Sequence, residues 1–207
     1  MKLRFLITAG PTREFLDPIR FISNRSSGKM GYALASAACQ HGNVMLISGP
    51  VALKPPAGVT FVPVTTAQEM ADAVLARFAD ADVLIMTAAV CDFRPRLTTA
   101  HKIKKASFSG VLELVPTVDI LATLGKRKRH QVLVGFAAET DALEANAQDK
   151  LRRKNLDLIV ANTAAAFEAE TNQVTLLYRD GCVERLPELS KAQVARVILR
   201  RVTALRT

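Results

Sequence analysis

The sequence predicts an α/β protein built on a doubly wound, mostly parallel sheet, with helices on both faces and a small β excursion or hairpin. Three observations carry this. Short apolar runs of strand length alternate along the chain with amphipathic stretches of helical period. The runs end on small residues, at Gly10, Gly49, Ala88-Ala89, Ala137-Ala138 and Ala161-Asn162, where a backbone and a ligand can approach each other closely. The 207 residues, 49% apolar and 23% charged, suit one Rossmann-like unit with a substantial core. No internal repeat, low-complexity linker or composition break appears, so residues 1–207 are expected to form a single domain.

In chain order, Leu3 to Ala9 reads as a buried strand that breaks at Gly10-Pro11. A long polar loop follows, carrying Arg13, Glu14, Asp17, Arg20 and Asn24. It closes on Ser26-Ser27-Gly28, where a helix opens and runs to about Cys39. A strand, a small-residue loop and a helix N-terminus together predict an anion site in front of Ser27. Loops of this length between a strand and a helix are usually functional. The site is neither a dinucleotide fingerprint, since G-x-G-x-x-G is absent, nor a Walker loop, since Met30 follows Gly28-Lys29.

Further strands are expected at Asn43–Ser48, Val59–Val64 and Asp82–Thr87, with a helix over Ala67–Ala79 capped by Thr65 or Thr66. Lys102–Lys105 and Val111–Val115 read as two extended segments joined by a turn. A short helix over Asp119–Arg127, a strand over Gln131–Phe136, a helix over Leu143–Lys154 and a strand over Leu156–Val160 follow. Gln173–Tyr178 and Cys182–Arg185 read as a hairpin about Asp180-Gly181, and Ser190 opens a last helix over Lys191–Leu205.

The longest apolar runs are far too short to span a bilayer, and Met1-Lys2-Leu3 enters a strand without a signal-peptide layout. Three widely spaced cysteines form no C-x-x-C pair, and three histidines show no ligand spacing. A cytoplasmic protein is expected, with no membrane partner. The net charge of +9 calls for an anionic partner. Nucleic acid is not expected, since aromatics make up 5%, Trp is absent and the basic residues fall in separate clusters. A basic nucleic-acid binder remains one rival reading. A nicotinamide oxidoreductase is another, although it lacks the glycine fingerprint and a Tyr-x-x-x-Lys pair.

Several residues carry candidate chemistry. Asn24 suits a turn or an amide donor to a carbonyl or phosphoryl oxygen. Arg20 suits a bidentate phosphate clamp or an ion pair with Asp17 or Glu14. Asp92 suits a loop cap or an acceptor for hydroxyls and metal-bound water. Cys91 reads as a small packed side chain, because no His lies near it in sequence. Lys102 and Lys104 alternate along an extended segment. Lys150 and Lys154 share a helix face. The basic run at 126–129 reads as a solvated loop.

The motifs AGPTRE at 9–14, LDPIRFISNRSSGKMG at 16–31, TAAVCDFRP at 87–95, KIKK at 102–105, PTVDIL at 116–121, VGFAAET at 134–140 and KLRRKNLDLIVAN at 150–162 occur in one order over most of the chain. This set resembles phosphopantothenate–cysteine ligase, bacterial CTP-dependent type, which in many bacteria is joined to a flavin-dependent decarboxylase. The resemblance implies Asn24 and Lys102 as catalytic residues, with Asn24 steadying an acyl phosphate and Lys102 on a strap that closes over the site. It implies that Arg20, Ser26, Ser27, Gly28, Ala88 and Ala89 bind the substrate. It places Gly10, Thr87, Asp92, Lys102, Val118, Asp119, Ile120, Leu121, Phe136, Lys150 and Lys154 around the nucleotide. Implied ligands are 4′-phosphopantothenate, CTP and cysteine, with Mg²⁺ accompanying CTP on ligands the sequence leaves open. No flavin is expected, because the chain has no decarboxylase portion. The resemblance also implies a homodimer with the site at its interface and Arg20 reaching the neighbouring subunit's substrate; Val111–Val115 or Gln173–Tyr178 are candidate strands for pairing between chains. The sequence departs from the family pattern at Cys91, where alanine is usual, at Val118, where proline is usual, and over Ala166–Asn172.

Overall fold

A computed structural model describes residues 2–139, 143–163 and 171–206. The first strand, β1 (Leu3–Ala9), lies in the middle of an eight-stranded sheet. From it the chain winds outward through α1 (Lys29–Ala38), β4 (Gly42–Ser48) and β5 (Val59–Pro63), after the excursion described below. It then returns across β1 by way of α2 (Ala67–Leu75) to β6 (Val83–Met86) and winds the other way. That half runs through α3 (Ile120–Arg127), β9 (Val132–Glu139), α4 (Leu143–Arg153) and β10 (Leu158–Thr163). All of these strand pairings are parallel. β12 (Val174–Tyr178) and β13 (Val183–Arg185) complete the edge antiparallel, as the expected hairpin. The strand order is β13-β12-β10-β9-β6-β1-β4-β5, so the direction of winding reverses between β1 and β6.

Alternation along the strands sorts the core into two layers, because successive side chains leave opposite faces of the sheet. Phe5, Ile7, Val83, Ile85, Val132 and Val134 pack under α1 and α5 (Lys191–Ala204). Leu6, Leu84, Met86, Leu133 and Ile159 pack under α2, α3 and α4. The helix starts follow local rules: Thr66 and Ser190 each form a capping box, with Glu69 and Gln193, and Asp119 caps α3 through Ala122 N–H at 2.9 Å. Among the described residues no helix is long and apolar enough to cross a membrane.

The segment from Gly10 to Ser27 is not all loop. It contains a short hairpin of β2 (Arg13–Phe15) and β3 (Phe21–Ser23). The Glu14 carboxylate is buried and accepts from Ala67 N–H at 2.7 Å, tying this hairpin to the start of α2. Three expectations need correction. Lys102–Lys105 does not pair with 111–115. Residues 105–107 form a 3₁₀ turn, and β8 (Leu114–Pro116) pairs back with β7 (Phe93–Pro95), a longer-range partner that local alternation does not reveal. Gln173–Tyr178 cannot supply a strand between chains, because β12 already has β10 on one edge and β13 on the other. Lys128 is not solvated, since its ammonium meets Asp157 and the Asn155 carbonyl. The departing segment Ala166–Asn172 lies largely outside the described residues, as does Thr140 of the VGFAAET motif.

Asp17 joins the first hairpin to the segment that follows β7. Its fully buried carboxylate accepts from the backbone N–H of Ile19 and Arg20 at 2.9 Å, from the Arg20 guanidinium, and from Ile103 N–H at 3.1 Å. Arg20 donates onward to the Ile103 carbonyl at 2.7 Å, and Thr98 and Thr99 bond the carbonyls of Phe15 and Leu16. The Arg20 hydrogen bonds and the three backbone donors hold the Asp17 carboxyl well below the usual carboxylate range. A depressed pKa stabilises the fold above the unfolded value of about 3.9 and is lost as the pH falls through the folded one. Asp17→Asn is therefore expected to lower Tm at neutral pH and to remove part of wild type's loss of stability below about pH 4. Calorimetry across that range checks this; parallel stability curves for the two proteins would exclude Asp17 as the link.

Candidate functional site

Two cavities open at the carboxyl ends of the parallel strands, where the winding reverses. Past β1 and β6 the two chains stay in register. Ala89 N–H donates to the Gly10 carbonyl at 2.9 Å, Thr12 N–H to Ala89 O at 3.2 Å, and Cys91 N–H to Thr12 Oγ1 at 2.9 Å. Gly10 turns at φ +70°, and a Cβ there would meet the Gly49 carbonyl at 2.9 Å. It is buried and is not among the lining residues of either cavity, and its turn lets the backbones of β1 and β4 converge.

The larger cavity, ≈ 830 Å³, gathers most of the expected residues. Asn24, Ala88, Ala89 and Asp92 line it together with Val118, Asp119, Ile120, Leu121, Phe136, Lys150 and Lys154. The Asn24 amide nitrogen lies 3.1 Å from the carbonyls of both Ala89 and Val90, which binds the long loop to the end of β6. Asp119 does two things at once: Oδ1 caps α3 while Oδ2 meets the Lys154 ammonium at 2.7 Å. Burial alone would raise the Asp119 pKa, but Lys154 and the Ala122 N–H outweigh it and hold the group as a carboxylate. Lys150 donates to the Phe136 carbonyl at 3.2 Å. The helical spacing that put both lysines on one face of α4 thus aims them at this cavity. Asp92 is exposed on the rim, and its carbonyl accepts from Thr117 N–H at 2.9 Å.

The smaller cavity, ≈ 160 Å³, shares Ala88, Ala89 and Phe136 with the larger one. Ser26, Ser27 and Gly28 line it beside the start of α1, with Thr87, whose hydroxyl donates to the Thr8 carbonyl. Gly28 is the N-cap, at φ +75° and without a side-chain cap, so the helix opening faces this space as the sequence predicts.

Arg20 and Lys102 line neither cavity. Arg20 is held by Asp17 and Ile103, and Lys102 is exposed one residue before that anchor. The exposed apolar side chains Ile19, Phe21, Phe93, Leu97, Phe108 and Leu114 lie on the same hairpins and the strap between them. Sequence reasoning missed Ser23, Arg25, Met86, Val90 and Thr117 in the larger cavity, and Lys29, Met30, Gly31, Asn172 and Lys191 in the smaller, where Asn162 stands at one of the strand ends expected to meet a ligand. Thr117 sits in a quoted motif and was within reach. Lys191 reads only as a helix start, and nothing local shows that it is buried. Among the described residues no three His, Cys, Asp or Glu gather as a metal cage.

Cys91 is buried, and its thiol lies near the carbonyls of Thr12 and Ile22. Burial pushes the thiol pKa up, the opposite of what a nucleophile needs. In the native protein Cys182, which is exposed, is expected to react first with a thiol reagent and Cys91 last, only as the protein unfolds. Mass mapping of partially labelled protein checks the order; early labelling of Cys91 would contradict it.

Residues 1–205 match the family described as DNA/pantothenate metabolism flavoprotein C-terminal domain. The coenzyme A biosynthesis bifunctional protein CoaBC of Bacillus subtilis (strain 168) is 52% identical over 206 residues, covering 97% of this chain and 51% of that protein. The protein of the same name from Escherichia coli (strain K12) is 46% identical over 188 residues, 86% of this chain and 46% of that one. The chain thus spans about half the length of these relatives. Among solved structures, the C-terminal domain of a coenzyme A biosynthesis bifunctional protein CoaBC superposes with a TM-score of 0.86 at 48% identity, covering 98% of this chain and 95% of that one.

Proposed function

The chain belongs to the family of DNA/pantothenate metabolism flavoprotein C-terminal domains, and from that membership we propose that it is a ligase of coenzyme A biosynthesis. It joins cysteine to 4′-phosphopantothenate through an acyl-cytidylate, releasing pyrophosphate and then CMP. The observation that carries this reading is the larger cavity. It holds an amide, Asn24, beside the end of β6 and is lined as well by Phe136, Asp119 and the two lysines of α4.

In the first step a carboxylate oxygen of phosphopantothenate attacks the α-phosphorus of CTP, and pyrophosphate leaves. In the second the uncharged amine of cysteine attacks the acyl carbon, CMP leaves, and the amine gives up its proton. Both steps build negative charge on oxygens between the two reacting parts. Asn24 is the donor for that charge: an oxygen of the substrate replaces the Ala89 or Val90 carbonyl as its acceptor. Ala88 and Ala89 hold the pantothenate portion through backbone groups, and Asp92 takes hydroxyls at the rim. Val118–Leu121 and Phe136 read the cytosine. Lys150 and Lys154 meet the phosphates, Lys154 exchanging part of its pairing with Asp119 for them. The Ser26–Gly28 turn and the α1 N-terminus add positive potential. Lys102 joins them when the segment around Ile103 folds over the cavity.

Mg²⁺ fits this arrangement as an ion that arrives on the triphosphate. Asp92 and Asp119 are the carboxylates among the described lining residues, Asp119 is already paired with Lys154, and among the described residues no protein cage gathers there. Mg²⁺ usually keeps waters and phosphate oxygens with one or two carboxylates, so Asp92 would complete its shell and the ion would offset phosphate charge.

The protein acts as a homodimer, with the exposed apolar side chains of the two hairpins as the contact. Arg20 lies among them, half exposed and outside its own cavities, which suits a clamp on the phosphopantothenate of the neighbouring subunit.

Pyrophosphate release with 4′-phosphopantothenate and cysteine tests the reaction. CTP is expected to give at least about tenfold higher kcat/KM than ATP, because the pocket reads the base by fixed backbone groups. Equal rates would remove the cytosine assignment, and no release with either nucleotide would remove the ligase. Asn24→Ala and Arg20→Ala are each expected to be nearly inactive alone. Mixed by unfolding and refolding, they should recover about a quarter of wild-type sites, by random two-fold assembly. No recovery from hybrids confirmed by mass would place Arg20 within its own subunit's chemistry or outside it altogether.

A further inference from the structure

The basic run at 126–129 lines neither cavity at the carboxyl ends of the strands. It leads into a third cavity, ≈ 630 Å³, at the opposite end of the sheet, beside the first residues of β9 and β10. Lys128, Arg129, Val132, Tyr178, Arg179 and Leu205 are among its lining, drawn from distant parts of the chain. Its volume falls in the range of about 300–1,000 Å³ usual for small-molecule sites.

Helix-end electrostatics explain part of this charge. Lys126 and Arg127 stand in the last turn of α3, where cations offset the negative end of the dipole. Lys128 has its counter-charge in Asp157. Arg129 and Arg179 are not explained in this way. Among the described residues Arg129 is bonded only through its backbone N–H, to Gln131 Oε1 at 2.9 Å, and the residue is exposed. Arg179 is exposed as well and reaches one carboxylate, Asp157, at 3.9 Å. The oxygens of Asp157 are already taken, Oδ1 by Lys128 and Oδ2 by Leu133 N–H. The other carboxylate of the lining, Asp180, accepts from Cys182 N–H within its own turn. Two guanidiniums with unused donors thus border one concave space. Val132 and Leu205 line it too, with Tyr178, whose hydroxyl is engaged by Glu184 at 3.1 Å. A guanidinium matches a phosphate or a carboxylate by paired hydrogen bonds. A phosphate monoester carries charge enough for two of them, and the apolar lining suits an organic group attached to it.

We propose that this groove is a regulatory site for a phosphorylated small molecule, with Arg129 and Arg179 holding the phosphate. The groove is tied to the larger cavity through α3. The Lys128 ammonium bonds the Asn155 carbonyl at 3.3 Å, and Asn155 Nδ2 bonds the Gly125 carbonyl at 2.9 Å. Gly125 packs so tightly that a Cβ there would run into the Lys154 carbonyl. Lys154 in turn pairs with Asp119 at 2.7 Å, and both line the larger cavity. An anion that draws on Lys128 therefore acts on the segment that carries Lys154. By linkage, the factor by which it changes nucleotide affinity is the factor by which nucleotide changes its own. The effect on nucleotide rests on the ligase reading, whereas binding in the groove does not.

Calorimetric titration of the full chain with phenyl phosphate tests the site, since this probe joins a phosphate to an apolar ring. Wild type is expected to bind it saturably. Arg129→Gln and Arg179→Gln should each weaken binding at least about tenfold, and Lys150→Gln, in the larger cavity, should leave it. No binding to wild type would overturn the proposal. So would binding lost in Lys150→Gln and kept in the two arginine variants. Tight, strongly salt-dependent binding of a DNA duplex that the same arginine variants abolish would give the groove to nucleic acid instead. A second titration, with CTP, reads the coupling. Saturating phenyl phosphate should change CTP affinity at least about fivefold in wild type and leave it unchanged in Arg129→Gln. Equal CTP affinity with and without bound phenyl phosphate would remove the regulatory role. A wild type that binds phenyl phosphate through the two arginines but never CTP would keep the groove and remove the ligase reading.

Discussion

The site depends on the two backbone segments that continue past β1 and β6. The sheet reverses its winding between these strands, the place where a doubly wound sheet opens a crevice beyond its carboxyl ends. Left unpaired, the peptide groups there would be buried polar orphans. Instead Ala89 bonds Gly10 and Thr12 bonds Ala89, which extends the parallel register beyond the sheet. Everything that lines either cavity is hung from this extension. Asn24 reaches the carbonyls of Ala89 and Val90, Thr117 reaches Cys91, and Ala88, Ala89 and Phe136 stand between the two spaces. The small side chains at these positions follow from the same requirement, because a larger residue would fill the space the backbone must share with a ligand.

A second constraint organises the rim. Asp17 is a buried carboxylate, tolerable only because the Arg20 guanidinium and backbone donors surround it. In meeting that demand it joins a turn of the first hairpin to Ile103, more than eighty residues away. The two basic residues assigned to phosphates from outside the cavities, Arg20 and Lys102, therefore sit on one mechanical unit. Movement of the segment around Ile103 cannot leave Arg20 unaffected, since both ends of its guanidinium contact are on that unit.

The larger cavity holds one of its charges in a pair. Lys154 is balanced by Asp119, a carboxylate that also caps α3, so the cation is stored in a neutral pair. A stored pair favours exchange, because an anion that enters can take over the cation while Asp119 keeps its bond to the helix start.

Local rules carried the sequence reading far. A continuous apolar run, Phe5-Leu6-Ile7, marked a strand buried on both faces, and Thr66, Asp119 and Ser190 marked helix starts through caps that act within four residues. The face shared by Lys150 and Lys154 was legible because helical period is a short-range property, whereas the grouping of Val118–Leu121 with Phe136 was implied by the family resemblance and not by spacing. Tertiary structure alone decided the rest. It paired β8 with β7 instead of with the lysine run, placed β12 inside the sheet, took Lys128 out of solvent, and buried Lys191. Each of these turns on a partner distant in the chain, and a residue's own neighbours hold no record of the partner's position. Propensity and period act over a few residues, whereas burial and charge pairing are properties of the assembled whole.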